Sequence, residues 1–192
     1  RAAGGATIAA FSADNLSLNN PSLTFSDSFN AATNQQLSNS WLNQLGNIAV
    51  FGGKANGFGG LDIATVNGVF VPDSTVQADV VVAPGEYAGL VSRYSGPGDI
   101  NMYWAGLNYS GGTVQAQIWR NFNGNWVVLT SESVASGGAT LTFATSDNLL
   151  TLTVSGAPTL SVTDSSALSG PGMVGIRASA GATFDNFSAT SP

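Results

Sequence analysis

From residue 75 onward, apolar and polar positions alternate with a period of two, and each run ends at Gly, Pro, Asn or Asp. Residues 75–83, 87–94, 101–109, 113–120, 126–131, 139–145 and 149–154 are rich in β-branched and aromatic side chains and predict strands. The turns between them read as Gly96-Pro-Gly-Asp99, Ser110-Gly-Gly112, Asn123-Gly124 and Ser136-Gly-Gly138. Asn123-Gly124, set between two Trp-bearing runs, is the strongest hairpin signal. Helical periodicity never extends beyond a turn or two; Ser165–Ser169, closed by Gly170-Pro171, reads as one brief helical turn. Many short strands at close spacing predict an all-β sandwich or barrel.

The two ends of the chain share a pattern. Arg177-Ala-Ser-Ala-Gly-Ala-Thr-Phe-Asp-Asn-Phe-Ser-Ala-Thr190 matches Arg1-Ala-Ala-Gly-Gly-Ala-Thr-Ile-Ala-Ala-Phe-Ser-Ala-Asp14 at eight of fourteen positions without a gap. Residues 1–14 are therefore expected to be a strand equivalent to the last strand of a preceding copy, which predicts a tandem-repeat unit. Residues 15–22 have linker composition, and residues 23–190 form the main domain.

Composition removes several functions. Five Lys and Arg against eleven Asp and Glu leave no basic face for phosphates, so nucleic acid is not an expected partner. With no His and no Cys, imidazole bases, Ser-His and Cys-His nucleophile pairs, zinc sites and disulfides are excluded. Neither a stretch of about 20 apolar residues nor a charged-then-apolar leader is present, so membrane insertion is not expected.

Phe25-Ser-Asp-Ser-Phe-Asn30 with Leu37 and Trp41 resembles the entry strand of concanavalin A-like lectin/glucanase domains, whose relatives include laminin G-like modules and family 16 glucanases. Ala88-Gly-Leu-Val-Ser-Arg-Tyr94, Asn101-Met-Tyr-Trp104, residues 112–120 and Gly124-Asn-Trp126 follow the same succession. Gly172-Met-Val-Gly-Ile-Arg177 and Phe184-Asp-Asn-Phe187 are similar to the closing motifs. The resemblance spans residues 22–190 and implies a jelly-roll sandwich of two antiparallel sheets, one of them curved.

It does not carry the glucanase activity with it. Retaining glucanases of this fold place two carboxylates about 5 Å apart on alternate residues of one strand. The family's Glu-x-Asp-x-x-Glu motif is missing, and the two glutamates, Glu86 and Glu132, have no acidic residue two positions away. A glycoside hydrolase is retained as the least favoured alternative. The resemblance also implies a structural calcium ion on the convex side, between the first and last strands, where Asp27 and Asp185 occupy the matching positions. Calcium needs six to eight oxygen ligands, so carbonyls and water would complete the set.

A binding face has to come from the aromatics. Tyr87, Tyr94, Tyr103, Trp104, Tyr109, Trp119 and Trp126 fall within forty residues of one another, among Arg93, Asn101, Gln115, Gln117 and Arg120. Flat aromatic faces under sugar C–H surfaces, with planar amide or guanidinium donors at the hydroxyls, make a carbohydrate site. With Val114, Ala116 and Ile118 facing the core, Gln115, Gln117 and Trp119 share the other face. Trp119, Gln117, Arg93 and Tyr103 are thus the candidate glycan contacts, and Trp104 and Trp126 are assigned mainly to the core. Two classes of function follow. One is a non-catalytic carbohydrate-binding or adhesive module repeated in an extracellular or bacterial cell-surface protein. The other is a filament or surface-layer subunit, in which residues 1–14 of one copy extend the sheet of the next.

Overall fold

The computed structural model describes residues 23–30 and 35–192, and the strand and linker expected over residues 1–22 lie outside them. The described residues form sixteen strands. In chain order these are β1 (Thr24–Asp27), β2 (Gln35–Gln36), β3 (Trp41–Leu45), β4 (Ile48–Phe51), β5 (Lys54–Gly57), β6 (Asp62–Val66), β7 (Ser74–Val81) and β8 (Tyr87–Tyr94). They continue with β9 (Met102–Ser110), β10 (Thr113–Phe122), β11 (Asn125–Val134), β12 (Gly138–Ser146), β13 (Leu149–Val154), β14 (Leu160–Thr163), β15 (Met173–Ala178) and β16 (Thr183–Thr190). The seven runs read from the sequence all appear. The helical turn expected at Ser165–Ser169 does not: residues 165–166 are a simple turn, in which the Asp164 carboxylate accepts the Ser166 N–H at 2.9 Å.

The strands make two antiparallel sheets in a jelly-roll sandwich. One has nine strands in the order β14-β13-β12-β7-β16-β5-β4-β2, with β1 added beside β16; the other has seven, β11-β10-β9-β8-β15-β6-β3. Alternation drives them together. Val76, Ala78 and Val80 of β7, Leu141 and Phe143 of β12, and Phe184, Phe187 and Ala189 of β16 are buried against Leu90, Ala105, Leu107, Ala116, Ile118 and Ile176 of the opposite sheet. Burying one such side chain stabilises by about 1.5–3 kcal/mol. The three hydroxyls of Ser74, Ser92 and Thr145 lie inside the sandwich and bond one another at 2.9, 3.0 and 3.2 Å. No buried side-chain N or O among the described residues lacks a partner.

The outer face of the seven-stranded sheet is also apolar. Ile63, Val91, Tyr94, Met102 and Trp104 are buried there, beneath Leu61, Tyr87, Trp119, Trp126 and Met173. Strand β8 is therefore buried on both sides. The Asn123-Gly124 turn forms as the sequence predicts, with φ of 52° and 82°, and joins β10 to β11 through a Phe122–Asn125 pair.

Candidate functional site

The site arises from one row of residues across the seven-stranded sheet. Register aligns Arg177 with Gly89, Gly89 with Gly106, Gly106 with Gln117, and Gln117 with Ser131. The middle of this row has no side chains. A Cβ on Gly106 would lie 2.3 Å from the Ala88 carbonyl oxygen and 2.4 Å from the Gly89 Cα, so β8 and β9 approach more closely than any other residue would permit. Trp104, in the adjacent row, folds its indole over the two glycines and donates its N–H to the Arg177 carbonyl at 3.4 Å.

Arg177 and Gln117 remain standing on either side of that floor. With Tyr87, Asn108, Trp119 and Trp126 they line an open cavity of about 280 Å³. Trp119 and Trp126 meet edge to face at 6.1 Å, as do Tyr87 and Trp104 at 6.4 Å. The Arg177 guanidinium carbon lies 4.7 Å from the Trp126 ring centre and 4.9 Å from that of Tyr87. Its Nε and Nη2 donate to the two oxygens of Asp99 at 2.8 and 3.0 Å. Gln117 is fixed through its carbonyl by the Trp119 indole N–H at 3.0 Å and through its amide by the Ser131 hydroxyl at 3.3 Å. Burial pushes the Tyr87 hydroxyl above its ordinary pKa, with Arg177 opposing the shift, and the hydroxyl donates to the Gly60 carbonyl. The arrangement offers π faces, planar amides and a guanidinium edge to one small ring. A larger hollow of about 330 Å³ lies beside Leu23, Phe25, Val66 and Val69 and gathers no ionisable side chain among the described residues.

Of the four glycan contacts expected from the sequence, Gln117 and Trp119 line this cavity and Arg93 and Tyr103 do not. Arg93 has φ of 51° at a bulge between β8 and β15, which breaks the alternation and turns its side chain toward the rim of the core. There Nε donates to the Pro72 carbonyl at 2.7 Å, Nη1 to the Leu168 carbonyl at 3.0 Å, and Nη2 to Asp73 at 2.9 Å and to the Asp147 carbonyl. Tyr103 faces the opposite sheet; its hydroxyl donates to Asp164 at 2.8 Å and accepts the Leu168 N–H at 2.9 Å. Tyr87, Trp104, Asn108, Trp126 and Arg177 are the lining residues that were not among the expected contacts.

Burial pushes the Tyr103 hydroxyl up to about 12 from an ordinary 10.0, with the Leu168 N–H opposing and Asp164 adding to the shift. A raised folded-state pKa gives stability that is complete below pH 10 and is lost as pH rises toward 12. The melting temperature should therefore fall across that window, less steeply in Tyr103→Phe, which is expected to be about 1–3 kcal/mol less stable at neutral pH. Parallel pH dependences in the two proteins would refute this.

The two carboxylates expected to share calcium accept different hydrogen bonds. Asp27 is in register with buried Phe187 and points inward, accepting the Trp41 indole N–H at 2.9 Å and the Phe29 N–H at 2.8 Å. Asp185 follows buried Phe184, faces outward in register with Asp79, and accepts the Asn186 N–H at 2.8 Å. A bulge at Asn186, φ 48°, lies between the strand residues that pair with Asp27 and with Asp79. No group of three or more Asp, Glu, His or Cys side chains that could hold a metal gathers among the described residues.

No protein-family model matches the chain, and no curated protein does. Solved structures match most of the chain. Carbohydrate-binding module CBM66 from Bacillus subtilis superposes with a TM-score of 0.65 at 16% identity, over 83% of this chain and 99% of that one. The CBM2 module of the evolved Dit of Lactobacillus casei BL23 phage J-1 gives 0.62 at 11% identity, over 88% and 95%. The GH43 protein BlXynB from Bacillus licheniformis gives 0.60 at 17% identity over 87% of this chain, which spans only 39% of that protein. At these identities the shared property is the fold: the chain is a two-sheet jelly roll of the kind that carbohydrate-binding modules also adopt.

Proposed function

We propose that this protein is a non-catalytic carbohydrate-binding module that takes one sugar ring in the Trp119–Trp126 cavity. The observation that carries the reading is the convergence of Trp119, Trp126 and Tyr87 with the Gln117 and Asn108 amides and the Arg177 guanidinium. The carbohydrate-binding modules among its structural neighbours support it. Absence of catalysis is supported by the cavity wall, whose described residues include no carboxylate; Asp99, behind the wall, is paired with Arg177. General acid–base hydrolysis needs two such groups flanking the bond. The matched segments 1–14 and 177–190 favour a tandem arrangement, and an extracellular or cell-surface setting accords with it.

Titration calorimetry against a panel of neutral polysaccharides and their oligosaccharides tests the reading. Trp119→Ala and Trp126→Ala should each weaken the best ligand about 30-fold, the loss usual for an aromatic anchor. Both variants should keep the wild-type far-ultraviolet dichroism. Unchanged affinity in the folded double variant would place binding elsewhere.

A further inference from the structure

We infer that the cavity selects an uncharged sugar, and that Asp99, which does not line it, is the residue that sets this selectivity. The inference rests on the glycan-binding reading above. Arg177 is the one charged side chain among the described residues of the wall. An unpaired guanidinium between aromatic rings is a natural receptor for a carboxylate or sulfate, because its fork matches two anionic oxygens. Here that fork is taken: Nε and Nη2 already bind the two Asp99 oxygens.

Asp99 is held firmly in place. Its carbonyl accepts the Asn121 side-chain amide at 2.6 Å, and Asn121 is fully buried. The same loop is tied by the Tyr94 hydroxyl to the Gly98 carbonyl at 3.0 Å, by the Asn101 amide to the Gly96 carbonyl at 3.2 Å, and by the Ser95 N–H to the Asn101 carbonyl at 3.0 Å. The pair is electrically neutral, yet three of the five guanidinium N–H groups are not used by Asp99. Hydroxyl and ring oxygens accept from such donors without bringing charge. An acidic sugar would set its own anion beside a fixed carboxylate, in a chain of net charge −6.

A glycan array of neutral oligosaccharides alongside uronic-acid, sialylated and sulfated ones tests the inference, with the intact protein and Asp99→Asn compared at low and high salt. Wild type should bind only neutral probes, with little salt dependence. Asp99→Asn should gain about tenfold on acidic probes at low salt, lose that gain at high salt, and weaken on neutral ones. Wild type preferring acidic probes would overturn the inference and leave the glycan-binding reading standing; wild type binding neither class would overturn that reading. A folded Asp99→Asn without any acidic gain would remove Asp99 from the selectivity, and Asp99→Ser decides the same point where Asn at this position melts early.

Discussion

Arg93→Ala is expected to lower the melting temperature by roughly 10 °C, from a loss of about 3–5 kcal/mol, while leaving glycan affinity in the folded protein unchanged. The side chain is 7% exposed and ties three separate connections to β8. Pro72 and Asp73 lie on the approach to β7, Asp147 is at the β12–β13 turn, and Leu168 is in the loop before β15. Asp73 keeps the Asp147 N–H at 2.9 Å, so truncation takes the guanidinium donors from three carbonyls and removes the ion pair from a carboxylate that retains one bond. Differential scanning calorimetry with a parallel binding titration checks both halves. A wild-type melting curve with lost affinity would return Arg93 to the binding surface.

The second large effect is expected from Gly106→Val, a loss of about 3 kcal/mol, at the upper end for overpacking. Overpacking is usually relieved by side-chain shifts, but two of the atoms nearest a Cβ here are backbone, the Ala88 oxygen and the Gly89 Cα. Relief would require β8 and β9 to part. The third is Trp104 Cζ2 at 2.7 Å, so the indole must lift and raise the cavity floor. Near-ultraviolet dichroism should change with the melting temperature, and glycan affinity should fall. Gly60→Ala, where an added Cβ meets nothing within 4 Å, is the control and should stay within about 0.5 kcal/mol of wild type. Equal stability of Gly106→Val and wild type would show that the glycine pair is not what brings these strands together.

The alternating runs and their turns made the sandwich legible, because a sheet buried on one face writes its period into the chain. The same alternation put Gln117 and Trp119 on one face. Trp126 could have joined them: a two-residue Asn123-Gly124 loop pairs Asn121 with Trp126, on the Trp119 side of β10. Gly89 and Gly106 also carried a signal, as isolated glycines inside strands mark close backbone approach. Arg177 was harder to find, since β15 enters the sheet between β8 and β6 by a pairing that no local pattern encodes. Arg93 misled because its positive φ inverts the side that alternation assigns to it.

The position of β16 bears on how the protein is made. This strand follows all the others in sequence, yet it lies inside the nine-stranded sheet, bonded to β7 along one edge and to β5 and β1 along the other. A nascent chain that has emerged only as far as residue 178 has Val76, Val80 and Phe143 in place but no central strand against which to close them. Both halves of that sheet would then present unpaired edges and apolar faces to the cell. The sandwich can therefore close only once residues 183–190 are available, and partial chains ending before Thr183 are natural clients of chaperones and proteases rather than smaller working domains.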